Sequence, residues 1–290
     1  MRKGLMYGVV TYTIWGFLPL FWRYLDGINT WELLGYRILW AFFVMTVLCM
    51  CYFPWAFLKE QLYQIFQQPS LQRNLLKAAG AIGLNWAAFI FCVSHGQTAE
   101  ASFAYFLSPM FTVFFGYFRF HEVLNRGQWV AILLLCGGII TKCLLGARLA
   151  LIPLVMSLAV AYYGALEKEG QIHPFIRMWV ETFLLLPIVL LLMIGGMPLL
   201  QPKWTINVGL LMSGVVTALP LVLFMEASVR LPQTVLAILQ YLNPLLMLGV
   251  SIFFFHEPWQ AAEGWAYIWI FAGSTVFAAS MVRLGWRKTE

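Results

Sequence analysis

The chain has 290 residues, of which 62% are hydrophobic and only 10% are charged. Soluble domains carry roughly 25% charged residues, so this composition excludes a sizeable water-soluble domain and predicts an all-α polytopic membrane protein. The net charge of +6 does not indicate a nucleic-acid partner, because the basic residues stand singly between apolar runs.

Ten apolar segments follow one another along the chain, separated by short polar stretches. A helix needs about 20 apolar residues to cross a bilayer, whereas transmembrane β-strands alternate in polarity over about ten. Because these segments are continuously apolar, they are predicted to be helices. In chain order the predicted spans are 4–22, 33–53, 75–94, 99–118, 128–145, 149–166, 178–195, 206–225, 233–254 and 264–282.

Two of the connections between spans have predicted structures of their own. The third and fourth spans are joined only by Ser94 to Thr98, which requires an antiparallel hairpin. Between the second and third spans, apolar residues recur at helical spacing from Trp55 to Phe66 among charged and amide side chains. This pattern predicts a short amphipathic helix at the membrane interface.

The Lys and Arg residues are distributed unequally between the two sides of the predicted spans. With a cytoplasmic N-terminus, thirteen of them lie on the inner side and four on the outer side, while Arg37 lies within the second span. Basic residues favour the cytoplasmic side, so both termini are predicted to be cytoplasmic. The predicted location is a bacterial-type inner membrane.

A motif recurs in the two halves of the chain. Tyr105–Pro109 and Gln240–Pro244 are each followed by a His-Glu pair, at 121–122 and 256–257. Both copies read L-[SN]-P, eleven residues, then H-E, at a constant offset of 135 residues. The shared apolar context and equal spacing indicate an internal repeat.

A second match places Trp15-Gly16 of the first span opposite Tyr163-Gly164 of the sixth. An odd number of spans in each half would turn the second copy upside down. The sequence therefore predicts ten transmembrane helices as two inverted five-helix repeats, over residues 4–145 and 149–285. Secondary transporters use this architecture, with the substrate site at the repeat interface near mid-membrane, and rocking of one repeat against the other would expose that site alternately.

The segment that covers the third and fourth spans resembles a known family. Asn85-Trp86, Phe89–Phe91, Glu100–Ser102, Tyr105-Phe106 and Pro109 resemble the signature of RarD-type proteins of the EamA family, in the drug/metabolite transporter superfamily. The resemblance covers essentially the whole chain. It implies ten helices in two inverted halves and a central cavity lined mainly by spans 1, 3, 4, 6, 8 and 9, and it names no substrate.

One departure from the RarD pattern is Ser108, which stands where an Asn is expected, although Asn243 supplies it in the second half. Polar and aromatic side chains within apolar spans must find helix partners or face a wet cavity. An aromatic-lined cavity would suit amphipathic organic solutes. The predicted cavity and substrate-binding residues are Trp15, Asn85, Trp86, Glu100, Tyr105, Tyr163, Gln240 and Asn243.

Glu100 has two interpretations. It falls in the first turn of the fourth span, where the helix dipole stabilises an acidic side chain. It could equally be a cavity carboxylate that binds a proton or a cationic substrate, because carboxylates within a bilayer are costly and usually functional.

The other charged residues in spans are candidates for coupling or ion pairing. Glu32 and Arg37 open the second span near the outer face, and Glu181 roughly mirrors Glu32 in the seventh. A structural ion pair and a clamp for a substrate anion are both open for Arg37. Glu226 and Arg230, four residues apart, are predicted to form a pair on a helix surface.

Pro109 and Pro244 occupy equivalent positions of the repeat. Each removes a backbone hydrogen bond and can kink its helix. We expect the fourth and ninth spans to be symmetry-related gating helices; static kinks that serve packing are the alternative.

The predicted function is a secondary transporter of a small organic solute. The absence of a G-x-x-x-x-G-K-[ST] motif argues against direct ATP coupling. The alternatives are a membrane-embedded enzyme, disfavoured because Asn125 and Gln260 interrupt any H-E-x-x-H motif, and a receptor or structural membrane protein. The predicted partners are the solute, membrane lipid and a proton, with a homodimer left open and with no metal or cofactor.

Overall fold

The computed structural model describes residues 2–121, 124–145, 151–169, 172–231, 233–258 and 261–287. Within these residues the regular secondary structure consists of helices joined by turns and short loops. The helices, in chain order, are α1 (Arg2–Tyr24), α2 (Thr30–Tyr52), α3 (Trp55–Gln67), α4 (Pro69–Ser94), α5 (Thr98–Phe120), α6 (Arg126–Leu144), α7 (Leu151–Lys168), α8 (Pro174–Ile194), α9 (Trp204–Arg230), α10 (Gln233–Leu239), α11 (Leu242–Phe253) and α12 (Ala261–Arg287).

Seven of these helices are long and apolar enough to cross a membrane: α1, α2, α4, α5, α6, α8 and α9. Two further apolar helices, α7 and α11, are shorter. The predicted amphipathic segment is α3, a separate helix between two of the long ones. The chain is therefore an all-helical polytopic membrane protein.

The surface and the interior have the polarity expected in lipid rather than in water. Large apolar side chains are exposed along the helices, for example Leu191 at 70% and Ile194 at 84% of their surface. In contrast, Arg37, Lys142 and Arg177 are each less than a tenth exposed. A bilayer solvates the apolar exterior, and polar groups turn inwards where they can find partners.

The ninth predicted span, 233–254, is not one continuous helix. The structure divides it into α10 and α11, with Gln240 and Tyr241 between them. Pro244 favours a break at this point, because proline has no N–H to donate to the carbonyl of Gln240 four residues earlier and its ring crowds that carbonyl. Its repeat counterpart Pro109 lies within an uninterrupted α5.

The extensive helix interfaces join the first half of the chain, α1–α6, to the second half, α7–α12. Neither half packs mainly on itself, so the predicted repeats do not form two separate packing units. The interfaces are α1–α9, α1–α11, α2–α8, α2–α9, α4–α7, α4–α8, α5–α7, α5–α11 and α6–α12.

The two ends of the bundle are defined by α1 and α2. We call the end at which α1 begins the N-terminal face, and the end at which α1 ends and α2 begins the α1–α2 face. At the N-terminal face, Arg119 near the end of α5 forms an ion pair with Glu169, 2.8 Å away, just after α7. Glu169 also accepts a hydrogen bond from Asn74 near the start of α4, at 3.2 Å.

The second His-Glu pair ties a loop to the beginning of α5. The Glu257 carboxylate accepts hydrogen bonds from the backbone N–H groups of Thr98 and Ala99, at 2.9 and 2.8 Å. It also accepts one from the Ser251 hydroxyl at 2.7 Å. The first N–H groups of a helix have no partner within it, and the helix dipole favours negative charge there, so Glu257 caps α5 from a distant part of the chain.

Replacing Glu257 with alanine should lower the free energy of unfolding by about 1 kcal/mol, the usual value of a lost cap. For a chain of this size that corresponds to a melting temperature roughly 2–4 °C lower. Thermal unfolding of the purified protein in detergent measures the change. Glu60→Ala on the exposed side of α3 is the control, and an equal melting temperature for both variants would contradict the capping role.

Two histidines adopt the same unusual backbone conformation. Among the described residues, His121 and His256 are the non-glycine residues with positive φ, at 53° and 51°. This left-handed region is uncommon for residues that carry a Cβ. His121 follows the last residue of α5, and His256 lies three residues beyond the end of α11, so both copies of the His-Glu motif share this backbone conformation.

Candidate functional site

Arg37 lies inside the bundle near the α1–α2 face, on the same side of α2 as the fully buried Ala41 and Met45. Only 6% of its surface is exposed. Its guanidinium carbon lies 4.5 Å from the ring centre of Trp86 and 5.1 Å from that of Trp22. The charge is thus held by aromatic ring faces from α1 and α4.

Arg37 has no carboxylate partner within the described part of the chain. Its Nε and Nη1 atoms are buried without a hydrogen bond. Glu32, the predicted ion-pair candidate five residues earlier, instead accepts a hydrogen bond from Gln201 at 3.2 Å. Of the two interpretations of Arg37, an ion pair is not formed with any carboxylate of the described residues, and the anion clamp stays a prediction.

Asn85 and Tyr105 lie next to this aromatic cluster and are hydrogen-bonded to each other. Asn85 Nδ2 donates to the Tyr105 hydroxyl at 3.3 Å and to the backbone carbonyl of Met156 in α7 at 3.0 Å. The structure therefore brings Asn85, Trp86, Tyr105 and Arg37 into one place, although they come from three helices.

A second polar cluster lies nearer the N-terminal face. Arg177 and Glu181, one turn apart on α8, form an ion pair at 2.9 Å, and Arg177 also pairs with Glu167 of α7. The Tyr163 hydroxyl donates to Glu181 at 2.9 Å, and Arg177 Nη2 donates to Asn74 at 2.8 Å. Here each charge is paired, and Glu181 is completely buried.

The exposure of α7 indicates open space inside the bundle. Leu151, Val155 and Leu158 mark its outer side, at 73%, 40% and 41% exposure. Gly164 is also exposed, and a Cβ added to it would meet no atom within 4 Å. It lies nine residues after Val155, which places it on the opposite side of α7. Gly164 and the partly exposed Glu167 therefore line an inward-facing space near the N-terminal face.

Glu100 lies apart from both clusters. Its carboxylate is 2.5 Å from Lys142 Nζ at the end of α6, and Glu263 of α12 is 3.9 Å from the same nitrogen. Lys142 is almost fully buried and lies 4.7 Å from the ring centre of Phe103. This contact favours the structural interpretation of Glu100.

The remaining predicted residues are spread along α1, α10 and α11. Trp15 packs against the rings of Tyr12 and Phe224, with centroids 5.5 and 5.9 Å away. Gln240 is half-buried in the break before α11, and Asn243 Oδ1 is buried without a hydrogen bond among the described residues.

The two predicted gating helices touch each other through one of their prolines. Ser102 Oγ of α5 donates to the backbone carbonyl of Pro244 in α11 at 2.8 Å, and Ser102 is fully buried. Pro109 is likewise buried, further along α5. Their role in gating stays a prediction.

Sequence reasoning did not select Arg177, Lys142, Glu167 or Trp22 as site residues. Arg177 and Lys142 served only to count charges on either side of the membrane. The four-residue spacing of Arg177 and Glu181 was a usable signal, since such residues share a helix face. For Lys142 and Trp22, whose partners come from other helices, no local spacing could have indicated the contact.

The family model matches the first half of the chain, and full-length relatives match nearly all of it. The model of the EamA-like transporter family matches residues 2–141. The "Uncharacterized transporter YojE" of Bacillus subtilis is 30% identical over 100% of this chain and 97% of its own length. The "Protein RarD" of Streptomyces exfoliatus is 31% identical over 98% of this chain and 89% of its own length.

The fold also has a counterpart among solved structures. One crystal structure covers 98% of this chain and 99% of its own, with a TM-score of 0.64 and 15% sequence identity. A likeness at this level of identity supports the arrangement of helices and says nothing about a ligand.

Proposed function

The chain belongs to the EamA-like transporter family as a RarD-type protein, and from that premise we propose that it is a secondary transporter of a small organic solute. It is a multi-pass protein of the bacterial inner membrane, and in this proposal both termini are cytoplasmic. Solute moves by alternating access, without catalysis.

The observation that carries the proposal is the pattern of helix packing. We exchange α1 with α7, α2 with α8, α4 with α9, α5 with α10–α11, and α6 with α12. The interfaces α1–α9, α1–α11 and α2–α9 then become α7–α4, α7–α5 and α8–α4, which are all present, and α2–α8, α5–α11 and α6–α12 map onto themselves. This symmetry supports ten spans in two inverted repeats, over 4–145 and 149–285.

Residues at equivalent positions of the two halves support the same symmetry. His121 and His256, the two positive-φ histidines, are separated by 135 residues. In the α4–α7 interface Asn85 donates to a backbone carbonyl of α7 at 3.0 Å. In the corresponding α1–α9 interface the donor and acceptor helices are exchanged: Thr11 of α1 donates at 3.3 Å to the carbonyl of Pro220 in α9, which lies 135 residues beyond Asn85.

The moving bodies in this proposal are not the two sequence halves. Because the extensive interfaces join the halves, the natural units are two equivalent three-helix groups, α1–α2–α9 and α7–α8–α4. They meet at α2–α8 and are bridged by α5 and α11. Movement of one group against the other would open one face of the bundle while closing the other.

In this proposal, the structure represents the state that is closed at the α1–α2 face and open at the N-terminal face. Near the α1–α2 face α1 contacts α4, and Gly16 of α1 is so close to α11 that an added Cβ would lie 2.5 Å from Leu246 Cβ. Its sequence counterpart Gly164 faces open space. In the opposite state we expect Gly164 to close against α5 and Gly16 to separate from α11.

Cysteine cross-linking tests this mechanism in a variant without the five native cysteines. The pair Gly16→Cys and Leu246→Cys should cross-link in the state described here. The pair Gly164→Cys and Phe111→Cys, at the equivalent positions, should cross-link in the opposite state. Each cross-link should stop solute flux in proteoliposomes, and reduction should restore it.

The matched control joins α6 to α12, where no movement is proposed. A Cβ at residue 127 would lie 2.8 Å from that of Ser280, so Gly127→Cys with Ser280→Cys should cross-link without loss of flux. Full flux in verified Gly16–Leu246 cross-linked protein would contradict alternating access at this position. The solute for the assay comes from a thermal-shift screen of a metabolite library.

A further inference from the structure

Three cations are buried in the described part of the chain: Arg37, Lys142 and Arg177. Lys142 contacts two carboxylates, and Arg177 contacts two carboxylates and the Asn74 amide. Arg37 has neither an acidic partner nor a hydrogen bond among those residues. A buried charge normally persists only when it is paired, so this exception calls for a partner that the described residues do not supply.

The surroundings of Arg37 leave its hydrogen-bond donors free. Trp22 and Trp86 lie against the guanidinium at 5.1 and 4.5 Å, and such ring contacts stabilise the charge through the π faces. They do not accept the N–H groups that point outwards in the guanidinium plane. A planar oxyanion matches the hydrogen-bonding chemistry of this edge, because two of its oxygens can accept from the fork at once.

A second donor lies beside it. The Tyr105 hydroxyl accepts a hydrogen bond from Asn85, but it donates none within the described residues. Tyr105 is partly exposed, and its partner Asn85 adjoins Trp86 in α4, which lies 4.5 Å from the Arg37 guanidinium, so we assign the Tyr105 O–H to the same ligand. The rest of the surface around these donors is aromatic, which suits an apolar or aromatic ligand body.

We propose that Arg37 anchors the carboxylate of a small organic anion, with Tyr105 as a second hydrogen-bond donor and with Trp22 and Trp86 holding the guanidinium in place. The inference rests on the proposed transport function and gives its substrate class: a monocarboxylate with an apolar or aromatic body. A cationic solute is disfavoured at this position because the fixed charge would repel it.

Thermal unfolding of the purified protein and of Arg37→Met tests the proposal. Without added solute, the two melting temperatures set the baseline, since Arg37→Met removes the buried charge together with its contacts to the two ring faces and keeps an apolar side chain of similar length.

The same measurement is then made with benzoate, phenylacetate and hexanoate, each compared with its neutral amide at equal ionic strength. At least one carboxylate should raise the melting temperature of the unmodified chain by about 2 °C or more, its amide should not, and Arg37→Met should lose the shift. Arg230→Met, at an exposed pair on α9, should keep it. Equal shifts with acid and amide, no shift with any acid, or a shift retained in Arg37→Met would overturn the proposal.

Flux in proteoliposomes separates this inference from the proposed function. If an uncharged or cationic solute is transported and Arg37→Met does not alter its rate, the anion site is wrong while transport stands. If carboxylates bind through Arg37 and no solute crosses the membrane, transport is wrong while the anion site stands.

Discussion

Replacing Arg177 with methionine is expected to lower the free energy of unfolding by about 3–5 kcal/mol, the cost of leaving a buried charge without its partner. Arg177 contacts both Glu181 and Glu167, and the Arg177 and Glu181 side chains are 2% and 0% exposed. For a chain of this length the melting temperature should fall by roughly 10 °C. Thermal unfolding in detergent measures the effect.

The cause can be separated from a loss of packing by removing the carboxylates as well. The triple variant Arg177→Met, Glu181→Gln and Glu167→Gln keeps the side-chain sizes and leaves no unpaired charge, so it should recover most of the lost stability. Arg230→Met is the matched control, since Arg230 and Glu226 have the same spacing but are 42% and 45% exposed. A surface pair of this kind contributes only about 0.3–0.5 kcal/mol. Equal losses in Arg177→Met and Arg230→Met would contradict the account.

The helices could be predicted from the sequence because lipid imposes strong local rules. Each predicted membrane span coincides with helix in the described residues, and the amphipathic segment from Trp55 is a helix of its own. The break at Gln240 was missed, although Pro244 is visible in the sequence. Pro109 shows why: the equivalent proline leaves α5 continuous, so the difference depends on tertiary packing and not on the residue itself.

The candidate site was predictable in its residue types and only partly in its contacts. Apolar context was enough to select Asn85, Trp86, Tyr105 and Arg37, which the structure places together. Partners on other helices were out of reach, because their distance along the sequence carries no information about their distance in space. Glu100 illustrates this limit: its partner Lys142 lies 42 residues further along the chain on the next helix, far beyond the three- or four-residue spacing of pairs within a helix.

The packing of α9 against α2 depends on a glycine at the point where the middles of the two helices cross. A Cβ on Gly214 would lie 2.5 Å from the carbonyl carbon of Trp40, closer still to its oxygen, and 2.9 Å from its Cβ. These are mostly backbone atoms, so no change of rotamer can relieve the clash, and the helices would have to separate.

Gly214→Ala should therefore lower the free energy of unfolding by about 1–3 kcal/mol, the usual cost of overpacking, despite the better helix propensity of alanine. Gly80→Ala is the matched control within α4, because Gly80 is exposed and an added Cβ would meet nothing within 4 Å. It should raise stability by about 0.5–1 kcal/mol. The two alanine variants thus change stability in opposite directions in the same unfolding assay. If both raised it, α2 and α9 could separate at little cost, and the three-helix group α1–α2–α9 could not move as one body.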